Sequence, residues 1–200
     1  MRKSLWYLPS LAVSLSLIIG PLLRNGMFLD GLVYTNIAKN LSEGIGSIWA
    51  PLVHRKGEIF YDHPVFLPWV ESLFFRLLGD GLHTEDCYNF IIFALTVLVL
   101  YKIWGTLVDP KRRWLFFFPL LLWVLNQEVQ LRYPNTLLEC GTALIVLTTF
   151  YFFIKTNNKA PFLSYFMIGL GTVFAFSSKG PFGLFLLGIP FLYTLVKLKR

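Results

Sequence analysis

The run Phe90-Ile91-Ile92-Phe93-Ala94-Leu95-Thr96-Val97-Leu98-Val99-Leu100-Tyr101-Lys102-Ile103-Trp104-Gly105-Thr106-Leu107-Val108 carries a single charge, Lys102, near its end. A helix of about 20 apolar residues crosses a hydrocarbon core of roughly 30 Å, and this run has that length. Similar runs cover residues 5–23, 136–154, 160–178 and 181–196. A shorter one, 114–126, spans only by borrowing 127–131 or by thinning the bilayer locally. The chain is 56% hydrophobic and 18% aromatic with only 14% charged residues, which excludes an ordinary soluble domain. The expected fold is therefore an all-α, polytopic membrane helix bundle of about six transmembrane helices, one transmembrane domain over 1–200.

Charge placement supports this topology. The net charge of +7 is not a nucleic-acid footprint, because the basic residues sit in short clusters between apolar runs. With a cytoplasmic N-terminus, six spans put Arg2, Lys3, Lys102, Lys111, Arg112, Arg113, Lys155, Lys159, Lys197, Lys199 and Arg200 inside, with Asp109 as the sole acid. That side then carries +10 and the outer side −3, the asymmetry that orients membrane proteins with basic loops inward. Both termini are expected in the cytoplasm. The first run follows Arg2 and Lys3 but has no small-residue cleavage site after it, so it reads as an uncleaved helix. Cys87 and Cys140 form neither a disulfide framework nor a metal spacing and read as buried thiols.

Between the first two runs lies a long outer loop, 24–89, where helix connections usually take about 2–8 residues. Residues 30–41 read as a short amphipathic helix ended by Glu43-Gly44-Ile45-Gly46. A second helix is expected over 64–78, opened by Pro64, stopped by Gly79 and rich in Phe, Leu and Trp, as suits the membrane interface. Asp30 stands at the start of one and Asp62-His63 at the start of the other. Each has an ordinary explanation: Asp30 as an N-cap, Asp62 as a turn or cap residue, His63 as an interfacial side chain. The three histidines have no zinc-ligand spacing. Also outside are the turn Ser178-Lys179-Gly180-Pro181 and the segment Arg132-Tyr133-Pro134-Asn135, followed by Glu139 within a span. A carboxylate at that depth needs a partner, and Arg132, Arg24 and Lys179 are the candidates. The plain alternative for Lys179 is a turn residue snorkelling to headgroups.

Three blocks carry a resemblance. They are Asp30-Gly31-Leu32-Val33-Tyr34 with Ala38-Lys39-Asn40-Leu41 and Glu43-Gly44; Asp62-His63-Pro64 with Leu67, Trp69 and 73–80; and Ser178-Lys179-Gly180-Pro181-Phe182-Gly183. In this order the chain resembles the polyprenyl-phosphate-sugar-dependent glycosyltransferases of the GT-C superfamily. The nearest branch is that of bacterial relatives of protein O-mannosyltransferases and of the lipid A aminoarabinose transferase. Such enzymes are typically longer, so the chain resembles their N-terminal part.

The resemblance implies inverting transfer of a sugar from a polyprenyl-phosphate donor to a lipid, glycan or protein acceptor on the extracytoplasmic face of a bacterial inner membrane. It implies catalytic roles for Asp30 and Asp62, and donor-phosphate contacts for His63, Lys179 and Arg24. Tyr34, Arg132 and Glu139 then support them. A divalent metal, Mg or Mn, would take Asp30 and Asp62 as ligands. Two other classes fit the same residues: a transporter or flippase-like lipid-binding protein using the carboxylates as relays, and a catalytically inactive scaffold in which Asp30 and Asp62 cap helices.

Overall fold

The structure is a computed structural model that describes residues 12–13, 16–17, 19–21, 27–81, 83–156 and 160–198. Most of the first apolar run, Arg24 and the charges at Arg2, Lys3, Lys159, Lys199 and Arg200 lie outside the described residues. The described chain is helical, with two isolated β-bridges, Ser47 to Ala50 and Leu52 to Ile59, in the loop ahead of the second helix.

The helices are α1 (Leu29–Ser42), α2 (Phe66–Leu78), α3 (Thr84–Leu107), α4 (Phe117–Val124), α5 (Gln127–Arg132), α6 (Leu138–Thr156), α7 (Pro161–Lys179) and α8 (Gly188–Leu198). Short 3-10 segments over Pro110–Phe116, Tyr133–Asn135 and Gly180–Leu187 join some of them. Among the described residues three stretches are long and apolar enough to cross a membrane: Thr84–Leu107, Leu138–Thr156 and Pro161–Leu195. A fourth arises only if Pro110–Val124 and Gln127–Asn135, bent by 70°, form one broken span. This is the segment whose apolar run was too short to cross unaided. Asn126 breaks it: its side chain accepts from the Glu128 amide at 2.9 Å and starts a new helix in another direction.

The 35-residue stretch is itself interrupted at Gly180, whose φ of +64° with ψ of −139° suits glycine alone. The chain then turns back. Gly183 lies against the α7 backbone, where a Cβ would stand 2.2 Å from the Phe176 nitrogen. Farther on, Tyr193 of the returning limb and Tyr165 of α7 both meet the Phe153 ring, at 5.5 and 6.4 Å. Ascending and descending limbs thus form a hairpin with Lys179 at its tip.

Hydrocarbon offers no water to polar groups, so hydroxyls inside the spans must find partners within the protein. Thr96, Thr142, Thr149 and Thr172 each donate 2.8 Å bonds to the carbonyl four residues earlier. Small residues then let helices approach. Gly171 of α7 sits so close to α6 that a Cβ would fall 2.0 Å from Thr149 Oγ1. At the end of the same interface Thr156 and Ser164 share a 2.7 Å hydrogen bond. On the other flank α3 packs against α6, and Phe93, Trp123 and Tyr133 form an aromatic triangle with centroids 5.4–5.6 Å apart.

Two helices form in the long loop near the expected positions, with one shift. The second begins at Phe66, with Val65 at the N-cap, rather than at Pro64. Asp62 therefore precedes the helix in a bend, and Asp30 is not an N-cap either, since Phe28 holds that position. α1 packs on α2, which packs in turn on α3 and α7.

The α6–α7 contact yields a paired prediction. Gly171→Ala forces the helices apart and lowers stability by about 1–3 kcal/mol, as overpacking does. Gly169→Ala, with nothing within 4 Å of its Cβ, shifts stability by less than about 1 kcal/mol and upward. Thermal unfolding of the two variants in one detergent compares them directly; equal midpoints would contradict the close contact between Gly171 and Thr149.

Candidate functional site

The first block reaches the site because Gly31 has no side chain. A Cβ there would lie 2.0 Å from the Asn135 carbonyl oxygen, so only glycine lets the start of α1 rest on the Tyr133–Asn135 turn. Asn135 secures the contact by accepting a hydrogen bond from the Phe28 amide through Oδ1. The next residue, Thr136, takes a left-handed conformation with φ of 51°, costly for a β-branched side chain. Buried Asn89 of α3 holds it by donating to Thr136 Oγ1 at 2.8 Å. Asn89 and Thr136 did not stand out in the sequence, and Asn135 did so only as the end of the Arg132-to-Asn135 segment. A positive φ at a threonine and a buried asparagine at a helix start leave no periodic signal.

This turn sets the start of α6, and Leu138 packs against Tyr34 together with Leu67. On its other side the Tyr34 ring meets His63, with centroids 6.1 Å apart, and Phe60, at 6.4 Å. The Asp30-to-Tyr34 and Asp62-His63 motifs therefore meet in space. Burial, then the carboxylates of Asp30, Glu139 and Asp62 in that order, push the Tyr34 phenol up to about 12. All three acids lie within electrostatic range of one phenol.

The third block joins at the same end of the bundle. The space beside Gly180 is closed by Pro64 Cδ, 4.0 Å from the point where a Cβ would stand. Lys179 Nζ pairs with Glu139 Oε1 and lies 5.5 Å from the centroid of Phe182. Arg132 Nη1 reaches the same Glu139 oxygen at 2.6 Å, while its Nε is held by Glu128 at 2.6 Å. The partners expected for Glu139 are thus present in Arg132 and Lys179, and Arg24 lies outside the described residues. Asp30 and Asp62 differ from Glu139. Both are exposed, and among the described residues neither has a hydrogen bond or ion pair.

Two grooves flank this centre. One, of about 610 Å³, has Arg132, Glu139 and Lys179 at its polar end and Ala143, Val146, Leu147, Phe182 and Phe185 along its walls. The other, of about 600 Å³, is aromatic: Trp49, Phe60, Tyr61, His63, Phe66 and Trp69 face it, with Phe176 of α7. Trp49 and Tyr61 are 86% and 79% exposed. Among the described residues no group of three His, Cys, Asp or Glu side chains is placed to hold a metal ion. Cys87 and Cys140 are free thiols, Cys140 buried.

The geometry combines exposed carboxylates, paired cations and apolar grooves beside membrane helices, an arrangement suited to a substrate with a charged head and a lipid tail. The sequence model of the dolichyl-phosphate-mannose-protein mannosyltransferases matches residues 62–200, from Asp62 through the Lys179 turn. Asp30 and Tyr34 precede the matched region, so their place in the site rests on the packing described above. No curated protein matches the chain, and no solved structure does. On the strength of the family match, the chain belongs to the dolichyl-phosphate-mannose-protein mannosyltransferase family, and it is an integral membrane protein of the GT-C glycosyltransferase type.

Proposed function

We propose that this protein transfers a sugar from a polyprenyl-phosphate donor to an acceptor hydroxyl at the extracytoplasmic face, with inversion. The observation that carries the reading is the meeting of all three motif blocks at Tyr34, His63 and Gly180, with two carboxylates unpaired among the described residues and two cations around them. A relay in a transporter would want its acids within the spans; Asp30 and Asp62 lie instead on and beside the outer-loop helices.

In this reading the donor phosphate lies at Lys179 and Arg132, and the prenyl chain follows the groove of Ala143, Val146, Leu147, Phe182 and Phe185. The acceptor enters by the aromatic groove beside Asp62 and His63. The acceptor oxygen attacks the anomeric carbon from the face opposite the phosphate, which inverts that centre. Asp30 takes the hydroxyl proton, and the bond to the phosphate oxygen breaks. The leaving phosphate needs charge neutralisation more than a proton, and a fixed pair of cations supplies it without reorganisation. Glu139 keeps both cations in place before the donor arrives. Asp62 orients the acceptor, and His63 donates to the donor or acceptor from its position against Tyr34.

Two measurements test this. Transfer of label from a polyprenyl-phosphate sugar, assayed in membranes carrying the protein, falls by about 10²–10⁴-fold in Asp30→Asn, the usual worth of a general base, while membrane abundance is unchanged. Retained transfer would remove Asp30 from the chemistry. Lys179→Met lowers kcat/KM for the donor by about 10²-fold, whereas a phosphate bound elsewhere leaves it near wild type.

A further inference from the structure

One carboxyl outside this centre lies at the joint that assembles it. Glu71 of α2 is 1% exposed and accepts a 3.0 Å hydrogen bond from the Thr35 hydroxyl of α1. Thr35 follows Tyr34 directly, and α2 begins at Phe66, after the Asp62-His63 bend, Pro64 and the N-cap Val65. The Thr35–Glu71 bond therefore links the helix bearing Asp30 and Tyr34 to the helix that Asp62 and His63 lead into. Around it the α1–α2 contact is apolar, with Ile37 and Leu41 packed on Val65.

No counter-charge pairs with Glu71 among the described residues. Lys39 of α1 is within electrostatic range but engages Asp80 at 2.8 Å and lies over the Phe75 ring at 5.4 Å. From α3 the facing groups are Glu85, a second carboxyl, and the buried Tyr88. Glu85 Oε2 is itself buried without a hydrogen-bond partner among the described residues. An ionised Glu71 would thus place an uncompensated charge in a buried joint beside another acid, an expensive arrangement.

We infer that Glu71 is a positioning residue of the transfer site: uncharged and bonded to Thr35, it latches α1 to α2 and so holds Asp30 and Tyr34 against Asp62 and His63. Burial raises the Glu71 carboxyl from 4.5 to about 8; the Thr35 bond opposes the shift, Glu85 adds to it and Lys39 opposes it. The closed joint keeps a proton that the separated helices release above about pH 4.5. Latching is therefore complete below that pH, weakens as pH rises, and levels off above about 8. The inference rests on the proposed site for its consequence in catalysis, but not for the latch itself.

Amide hydrogen exchange of residues 33–41, in wild type and Glu71→Gln in nanodiscs, separates the two. Glutamine keeps an acceptor for Thr35 and cannot ionise. The ratio of wild-type to variant exchange, taken at the same pH to cancel intrinsic chemistry, rises at least about tenfold between pH 5.5 and 8.5. In parallel, polyprenyl-phosphate affinity of the wild type falls relative to the variant over the same interval. A constant exchange ratio overturns the latch, and so does a Glu71→Gln protein that fails to fold, since the uncharged form would then not be the holding one. Polyprenyl phosphate bound at neither pH by either protein sinks the donor reading, while the exchange ratio still decides the latch.

Discussion

The site depends on one carboxylate shared by two cations. Glu139, at the start of a membrane helix, holds Lys179 from the tip of the α7 hairpin and Arg132 from the end of α5. Loss of Glu139 strips Lys179 of its carboxylate and leaves Arg132 only Glu128, whereas loss of either cation leaves Glu139 one partner. The network therefore fixes three chain segments at one end of the bundle. It also leaves two cations assembled beside apolar grooves before any substrate is present. Preorganised charge of this kind acts on a departing phosphate without first having to be gathered.

A second constraint brings the acidic motifs to that end. Gly31 lets α1 lie on the Tyr133–Asn135 turn, and the Thr35–Glu71 bond fixes α1 on α2. Between them Tyr34 is enclosed by Leu67, Leu138, Phe60 and His63. Asp30 and Asp62 remain solvent-facing on either side. The division is chemically sensible: Glu139 organises two cations, and Asp30 and Asp62, without a partner among the described residues, stand exposed beside them.

The helical class was legible because membrane crossing demands long apolar runs, and 90–108 and 136–154 survive as α3 and α6 with small changes of boundary. The outer-loop helices were legible from their stop residues, Gly44 and Gly79. The turn at Gly180 was legible from Lys179 and Pro181 between two apolar runs, but the number of crossings was not fixed by hydropathy, because Asn126 redirects the chain inside a stretch that remains apolar. Among site residues, the pairing of Glu139 followed from the cost of a lone carboxylate in a span. The roles of Asn89, Asn135 and Thr136 were invisible, since each acts through a single long-range hydrogen bond or an unusual dihedral. Glu71 was visible only as a charge on an apolar helix; its burial depends on which face α1 covers.

If the three blocks form one centre around a donor phosphate, a cryo-EM structure of the protein with a bound polyprenyl phosphate will show the phosphate within hydrogen-bond reach of Lys179 and Arg132, with the prenyl chain along Ala143, Val146 and Leu147. Phosphate density away from both cations, with the Glu139 network undisturbed, would contradict it.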